Sequence, residues 1–284
     1  MDTQGSGAAT TRQGSVAVIR FHHWPVNTLG HAMRVAVHVE LTKAVADTTV
    51  RAVVLAGAGR GFCAGAQITE FASGEIAATP TAHDIWALIE ASPKPVIAAI
   101  HGYALGGGLE FAMACHYRIA QPDAKLAAPE VHLGLLPGAG GTQRLARAVG
   151  VERALKMMLS GERTPASGFA GTALIDGLAT GDVVDEALRF FGNLQGVHLP
   201  RLRDRALSFF GREAFFEAER ATVATSSPGM LAPPAIIRCV EAAVNLPFEE
   251  GLRFERERFQ ELVNNSQSMA LRDAFFAERQ AARR

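Results

Sequence analysis

The feature that most constrains the fold is a repeated pattern in which a short apolar run leads into a glycine-rich turn or a helical segment. Three such runs, rich in β-branched residues, occupy residues 16–21, 51–56 and 95–100 and are typical of buried strands. Between the first two, residues 29–46 keep apolar side chains at helical spacing. Apolar strands that alternate with helices predict an α/β layer fold.

The pattern changes near residue 195. Further on, the strand signals fade, and proline-separated segments rich in Arg, Glu, Phe and Ala predict helices. Those segments are residues 201–225, 234–245 and 248–282. The small, polar residues 1–15 predict a flexible tail. The sequence therefore predicts three regions: tail 1–15, α/β core 16–195 and helical region 196–284.

Composition excludes several classes of function. The chain has 28 basic and 28 acidic residues and a net charge of zero, so no basic excess points to nucleic acid or to an anionic membrane. The three cysteines are scattered, form no zinc pattern and predict buried thiols. The nine histidines show no metal-binding spacing. Without a signal peptide or a long apolar stretch, the sequence predicts a cytoplasmic protein.

Two glycine-rich turns nearly match a dinucleotide-binding fingerprint. Residues 57–62 and 138–143 both fail where the third glycine should stand, at Phe62 and Gln143. A dehydrogenase is therefore not predicted for this chain.

Three other segments carry candidate chemistry: residues 61–70, 102–111 and 128–144. The first contains small residues that let a backbone approach a ligand closely. In the second, three glycines open a helix whose first N–H groups can bind an anion, and Glu110 falls on its first turn. The third places Glu130 beside Pro129, ahead of another glycine-rich turn.

Two backbone N–H groups and two carboxylates suit proton transfer next to a thioester carbonyl. The N–H groups would stabilise an enolate oxygen, and the carboxylates would act as acid and base. Taken singly, each segment also has a structural reading: glycine triplets form turns, and a first-turn Glu complements the helix dipole. The spacing of Glu110 and Glu130 alone does not bring them together.

In order and spacing, the three segments together resemble the crotonase superfamily, the enoyl-CoA hydratase/isomerase family, over about residues 15–190. The resemblance implies an α/β fold, a ClpP-like spiral of ββα units with a helical C-terminal extension. It implies an oxyanion hole made by the backbone N–H groups of Ala66 and Gly107. By the same resemblance Glu110 orients and activates water, and Glu130 exchanges the proton at the α carbon.

The resemblance also assigns contacts with the CoA thioester. The substrate-binding residues it implies are Ala64, Gly65, Gln67, Ile68, Gly106 and Gly138. The family usually has Asp where this chain has Gln67, a departure near the CoA path and the loop's own hydrogen bonds. No metal or redox cofactor is expected, because CoA arrives as part of the substrate.

The retention of both glutamates favours an enoyl-CoA hydratase that converts a trans-2-enoyl-CoA into a 3-hydroxyacyl-CoA, with isomerisation of 3-enoyl-CoA as a second activity. There are two alternatives: an isomerase only, or a non-catalytic acyl-CoA-binding partner of a 3-hydroxyacyl-CoA dehydrogenase.

Residues 239–257 and 274–279 resemble the linker of multifunctional β-oxidation enzymes, in which a 3-hydroxyacyl-CoA dehydrogenase domain follows. The resemblance leaves open a truncated hydratase half or a stand-alone relative, and a homotrimer or a monomer.

Overall fold

The computed structural model describes residues 6–196 and 199–281. Its strands are β1 (Ser6–Gln13), β2 (Val16–His23), β3 (Thr28–Leu29), β4 (Ala52–Gly57), β5 (Gly65–Ala66), β6 (Val96–Ile100), β7 (Tyr103–Leu105), β8 (Tyr117–Ala120), β9 (Lys125–Ala127), β10 (Thr164–Pro165) and β11 (Gly177–Leu178). Its α-helices are α1 (His31–Ala46), α2 (Glu70–Ser73), α3 (Ala82–Glu90), α4 (Gly107–Ala114), α5 (Gly141–Val149), α6 (Val151–Ser160), α7 (Val183–Asn193), α8 (Arg212–Ser226), α9 (Ala232–Asn245), α10 (Phe248–Val263) and α11 (Ser266–Ala281). Short 3₁₀ helices cover Glu75–Ala77, Pro129–Leu133, Ala166–Phe169 and Leu202–Asp204.

A six-stranded sheet in the order β1-β2-β4-β6-β8-β11 forms the frame of the fold. All neighbours pair in parallel except β1, which runs antiparallel to β2 at one edge. Every residue of β4 and β6 is buried, as expected for parallel strands covered on both faces. This burial explains why the strands are continuous apolar runs in the sequence.

One face of this sheet packs against helix α7. Val183, Val184 and Ala187 of α7 join a buried cluster with side chains of β2, β4, β6 and β8. The Asp182 side chain accepts the N–H groups of Val184 and Asp185 and so caps the start of this helix. Capping and apolar burial together fix α7 on the sheet.

Two smaller sheets carry the segments of chemical interest. Strand β5 pairs in parallel with β3, Gly65 opposite Thr28 and Ala66 opposite Leu29. Strands β10, β9 and β7 form a three-stranded sheet in that order, and β7 leads within two residues into helix α4. The glycine-rich segments therefore begin or end at strands that are hydrogen-bonded to a neighbouring strand.

The predicted strands and the helix over residues 29–46 are confirmed as β2, β4, β6 and α1. The prediction of a flexible tail over residues 1–15 is wrong for Ser6–Gln13, which pairs along its whole length with β2. The backbone of a polar strand can add to a sheet edge without apolar side chains, so hydropathy gave no signal. Residues 1–5 lie outside the described residues.

The chain divides into two compact units, and the predicted boundary near residue 195 does not coincide with them. The first unit combines the residues up to Leu126 with Arg163–Leu202, and the second combines Ala127–Glu162 with the residues from Arg203 onward. Helices α5 and α6 pack against α9, and α5 also packs against α10. The third glycine-rich segment thus belongs with the C-terminal helices. The predicted helix 248–282 is two helices, α10 and α11.

All three cysteines are buried and free, as predicted. Burial raises the pKa of the Cys63 and Cys115 thiols to about 12. Among the described residues, no helix is both long and apolar enough to cross a bilayer.

Candidate active site

The backbone amides of Ala66 and Gly107 lie close together in the first unit. A methyl group placed on Gly107 would lie 3.3 Å from the Ala66 nitrogen, and one placed on Gly65 would lie 3.3 Å from the Gly107 nitrogen. Gly107 begins helix α4, and the first N–H groups of a helix have no acceptor within it. The structure therefore brings the two predicted oxyanion-hole residues together.

Two glycines with positive φ make this close approach feasible. Gly106 precedes α4 with φ 52° and ψ −126°, a conformation that L side chains rarely adopt. Gly65 has φ 97°, and a methyl group there would lie 2.7 Å from the Leu105 carbonyl oxygen. Strand β5 can approach the start of α4 only because both positions lack a side chain.

Glu110 lies in the first turn of α4, three residues after Gly107, and is only 4% exposed. Residues three apart share one face of a helix. Phe111, which follows Glu110, stacks on Trp86 of α3 at 4.9 Å between ring centroids and also contacts Phe21 and Phe62. This aromatic cluster holds the helix that carries both the Gly107 amide and the Glu110 carboxyl.

Asn27, which sequence reasoning missed, holds the loop between β4 and β5. Its side-chain amide donates to the carbonyls of Ala58 at 2.7 Å and Gly61 at 2.9 Å, and its carbonyl accepts the N–H of His23 at 2.9 Å. Its backbone has φ 54°. An Asn after a strand is a signal for such a turn, because Asn tolerates positive φ and bonds nearby backbone.

Gln67 keeps its segment attached to strand β3, although it replaces the family's usual acid. Its side-chain oxygen accepts the hydroxyl of Thr28 at 2.5 Å, and its amide donates to Thr69 at 3.1 Å. The Thr28 oxygen also lies 2.8 Å from Nδ1 of His23. Since the Thr28 proton goes to Gln67, that His23 nitrogen is the donor. A neutral amide therefore suffices to hold this turn.

A buried ion pair fixes the chain just beyond this turn. Arg34 of α1 donates to Glu70 of α2 at 2.8 Å, and both side chains are less than a tenth exposed. Arg34 also donates to the carbonyls of Leu29, Glu75 and Pro80. The other oxygen of Glu70 accepts the N–H of His31 at 2.5 Å. Nothing in the helical pattern of α1 distinguishes this Arg from a surface residue, so the sequence did not reveal the pair.

Glu130 and Gly138 lie in the second unit. Glu130 is half-buried in the 3₁₀ helix Pro129–Leu133, where its carbonyl accepts the N–H of Leu135 at 3.0 Å. Gly138 packs against the ring of Phe259 so closely that a methyl group there would collide with it. Ser268 of α11 donates to the Leu133 carbonyl at 2.8 Å. The C-terminal helices therefore support the segment that carries both predicted residues.

The remaining predicted substrate-binding residues flank the amide pair. Ala64 is half-buried, and its N–H points to the carbonyls of Val26 at 3.2 Å and Asn27 at 3.3 Å. Ile68 is half-buried in the turn before α2, where its carbonyl accepts the N–H of Phe71 at 3.2 Å. Across residues 6–196 and 199–281, no group of three or more His, Cys, Asp or Glu side chains could hold a metal ion.

A mixed α/β frame, a pair of adjacent amides and a buried first-turn glutamate agree with the crotonase superfamily that the three sequence segments resemble. The family model described as "Enoyl-CoA hydratase/isomerase" matches residues 11–195. The chain belongs to the enoyl-CoA hydratase/isomerase family, as the three sequence segments predicted.

Its curated relatives include longer enzymes. The "Peroxisomal bifunctional enzyme" of Homo sapiens is 39% identical over 275 residues, which are 96% of this chain and 38% of the relative. The "Fatty acid oxidation complex subunit alpha" of Shewanella frigidimarina is 37% identical over 267 residues, 89% of this chain and 38% of the relative. The chain thus spans less than two fifths of these proteins.

Solved structures of similar length share the fold. A carnitinyl-CoA hydratase from Mycobacterium avium is 30% identical, with a TM-score of 0.67 and 97% of each chain covered. A carnitinyl-CoA dehydratase from Mycobacterium avium 104 is 28% identical, with a TM-score of 0.67, and the match covers 93% of this chain and 95% of that one. These matches include the helical C-terminal region as well as the α/β frame.

Proposed function

We propose that the chain catalyses the syn addition of water to a trans-2-enoyl-CoA, which gives a 3-hydroxyacyl-CoA. The observation that carries this proposal is the close approach of the Ala66 and Gly107 amides, with buried Glu110 on the helical turn that Gly107 begins. Two amides in this arrangement suit a thioester oxygen that gains negative charge during the reaction.

In the proposed reaction, the thioester carbonyl accepts hydrogen bonds from Ala66 and Gly107. Glu110 orients a water molecule and accepts a proton from it as the water oxygen bonds to C3. The double-bond electrons move toward the carbonyl oxygen, where the two amides stabilise the enolate. Glu130, protonated at the start of the reaction, delivers its proton to C2, which restores the carbonyl. Glu110 then releases the proton it took from water and Glu130 is reprotonated, so the enzyme returns to its starting state. One water is consumed and no group is oxidised or reduced.

Each group has a distinct expected contribution. Removing one oxyanion donor costs on the order of 10²–10³ in kcat, and a positioned acid or base contributes about 10²–10⁴. Main-chain donors cannot be removed by a side-chain change, so the carboxylates give the cleaner test.

The test is the loss of enoyl-thioester absorbance after crotonyl-CoA is added to wild type, Glu110→Gln and Glu130→Gln. Wild type should turn over, and each variant should lose at least about 100-fold in kcat while it still binds the CoA ester. Glu162→Gln, an exposed change, is the matched control and should keep full activity. Binding of the ester without turnover by wild type would contradict the proposal.

We propose isomerisation of 3-enoyl-CoA to 2-enoyl-CoA as a second activity of the same site, because removal of a proton from C2 and its return at C4 pass through a dienolate whose oxygen the same two amides can stabilise. It needs proton exchange by Glu130 but no water at Glu110. Glu110→Ala should therefore reduce hydration more than isomerisation, and equal losses would argue against separate roles for the two carboxylates.

The proposal needs no resident metal or redox cofactor, since hydration changes no oxidation state. Dialysis against a chelator should leave kcat unchanged.

The 3-hydroxyacyl-CoA product has the secondary alcohol that a 3-hydroxyacyl-CoA dehydrogenase oxidises, so a dehydrogenase domain or chain is the partner we propose. Sedimentation of the full protein distinguishes a homotrimer from a monomer. The cytoplasmic location stays a prediction.

A further inference from the structure

Helix α5 begins without a cap from its own segment. Its N-cap residue is Gly140, with φ 91°, and no side-chain cap bond comes from that position. The first N–H groups of a helix need acceptors from elsewhere, and a buried helix start without them is destabilised. Gly140 and Thr142 are both buried, so their N–H groups depend on an acceptor that the protein supplies.

Glu255 of α10 supplies that acceptor. One carboxylate oxygen accepts the N–H of Gly140 at 2.6 Å, and the other accepts the N–H of Thr142 at 2.9 Å and its hydroxyl at 2.5 Å. The Glu255 side chain is fully buried. Charge-assisted bonds to a helix N-terminus are among the stronger hydrogen bonds in proteins.

Two other residues of α10 contact the same segment at the same helical spacing. Phe259, four residues after Glu255, packs on Gly138, and Gly251, four residues before it, packs on the side chain of Gln143. Residues four apart lie on one face of a helix. A single stripe of α10, residues 251, 255 and 259, therefore lies along the chain from Gly138 to Gln143.

This chain segment begins at Glu130. The 3₁₀ helix that carries Glu130 is held by Ser268 of α11, and eight residues later the chain reaches Gly138 and the stripe of α10. Two contacts with the C-terminal helices, at Leu133 and Gly138, therefore hold the chain three and eight residues after Glu130. A small displacement of a reacting group is enough to reduce a rate strongly.

We infer that Glu255 is a positioning residue: by accepting the Gly140 and Thr142 bonds, it fixes the segment that places Glu130 for proton transfer at C2. This inference rests on the proposed function. Glu255 does not touch the reacting atoms, so its loss should lower kcat and leave KM for the CoA ester nearly unchanged.

The test is steady-state kinetics of the full chain with crotonyl-CoA and with a 3-enoyl-CoA, on wild type and Glu255→Gln. The amide of Gln has the size of the Glu carboxylate, but only one of its two terminal atoms can accept a hydrogen bond. In wild type, the donors of Gly140 and Thr142 use both carboxylate oxygens. We expect kcat to fall about 10- to 100-fold, by the same factor in hydration and isomerisation, because both need Glu130. Glu255→Asp, which restores the charge, should recover part of this loss.

Three controls separate positioning from general destabilisation. Glu257→Gln changes an exposed carboxylate of the same helix and should leave kcat unchanged. Phe216→Leu alters a fully buried residue of α8 and should lower Tm without lowering kcat. If Glu255→Gln does not fold, Thr142→Val removes the hydroxyl that donates to Glu255 and accepts from the Gln143 amide, but it keeps both N–H bonds to Glu255. It should give a smaller kcat loss that is again equal in both reactions.

The outcomes distinguish a failure of the inference about Glu255 from a failure of the proposed hydratase function. An active wild type with unchanged kcat in Glu255→Gln, or with a kcat loss no greater than that of Phe216→Leu at equal Tm, overturns the inference alone. A kcat loss confined to hydration also overturns it, because that result would place the effect on water rather than on Glu130. A wild type without turnover overturns the proposed function and the inference with it.

Discussion

Gly65 illustrates how a single missing side chain sets the candidate site. Its φ of 97° is strained for an L residue, and the Leu105 carbonyl occupies the space a methyl group would need. Any side chain there would push strand β5 away from the start of α4. The Ala66 and Gly107 amides would then move apart.

We therefore expect Gly65→Ala to reduce kcat on the order of 100-fold, the cost of one misplaced oxyanion donor. Gly74→Ala is the matched control: its φ of 79° gives similar backbone strain, but no atom lies within 4 Å of the added methyl. Crotonyl-CoA hydration and thermal unfolding are measured for both. Equal kcat in the two variants would show that backbone strain, not amide placement, dominates.

His116 has a structural role that gives the fold a pH dependence. It is fully buried, and its Nδ1 accepts the N–H of Val96 at 3.1 Å. Burial, with smaller contributions from the positive charges of Arg118 and Arg201, lowers the pKa of His116 from 6.5 to about 4.

Between pH 6.5 and about 4, the unfolded chain binds a proton at His116 and the folded chain does not. The contribution of His116 to stability is therefore complete above pH 6.5 and is lost as the pH falls toward 4, by roughly 3 kcal/mol. Urea unfolding at several pH values tests this. In His116→Gln, the side-chain oxygen can still accept the N–H of Val96. The change of unfolding free energy with pH over this range should then correspond to about one proton fewer than in wild type. An unchanged pH dependence would refute the assignment.

At the scale of elements, the Arg34–Glu70 pair joins helix α1 to the segment that follows strand β5. Both charges are buried and use several hydrogen bonds each. Removing one partner of such a pair leaves the other charge buried without compensation, which costs about 3–5 kcal/mol.

Arg34→Met should therefore lower the free energy of unfolding by about 3–5 kcal/mol. Lys43→Met, which breaks an exposed pair with Glu40, should cost less than about 1 kcal/mol. Denaturant unfolding of both variants gives the comparison. A cost near that of the surface pair would mean that the buried pair contributes specificity rather than stability.

At the scale of the whole molecule, each compact unit is built from two separate stretches of chain. The family model ends at residue 195, yet helices α5 and α6 need α9 and α10 to cover them. Hydrophobic pattern predicted the parallel strands and α1 because these elements follow local periodicity. It could not predict the partners of Asn27, Arg34 or Glu255, because each bonds to groups more than 30 residues away.

We expect a protein that ends at residue 246, without α10 and α11, to lose soluble yield and the near-ultraviolet circular dichroism of packed aromatic side chains. The start of α5 would lose the Glu255 carboxylate, and Gly138 would lose the Phe259 ring. A protein that ends at residue 265 keeps α10 and serves as the comparison. Full activity of the shorter protein would contradict this division into units.

The cap that Glu255 places on α5 also has a consequence during synthesis. The carboxylate follows Thr142 by 113 residues, so at about 5–20 residues per second the helix start waits roughly 6–20 s for its acceptor. During that interval, the nascent segment has uncapped amides and an uncovered glycine turn. Chaperone occupancy on ribosome-bound chains should therefore persist until α10 emerges, and the segment that carries Glu130 should be among the last parts of the protein to reach its final conformation.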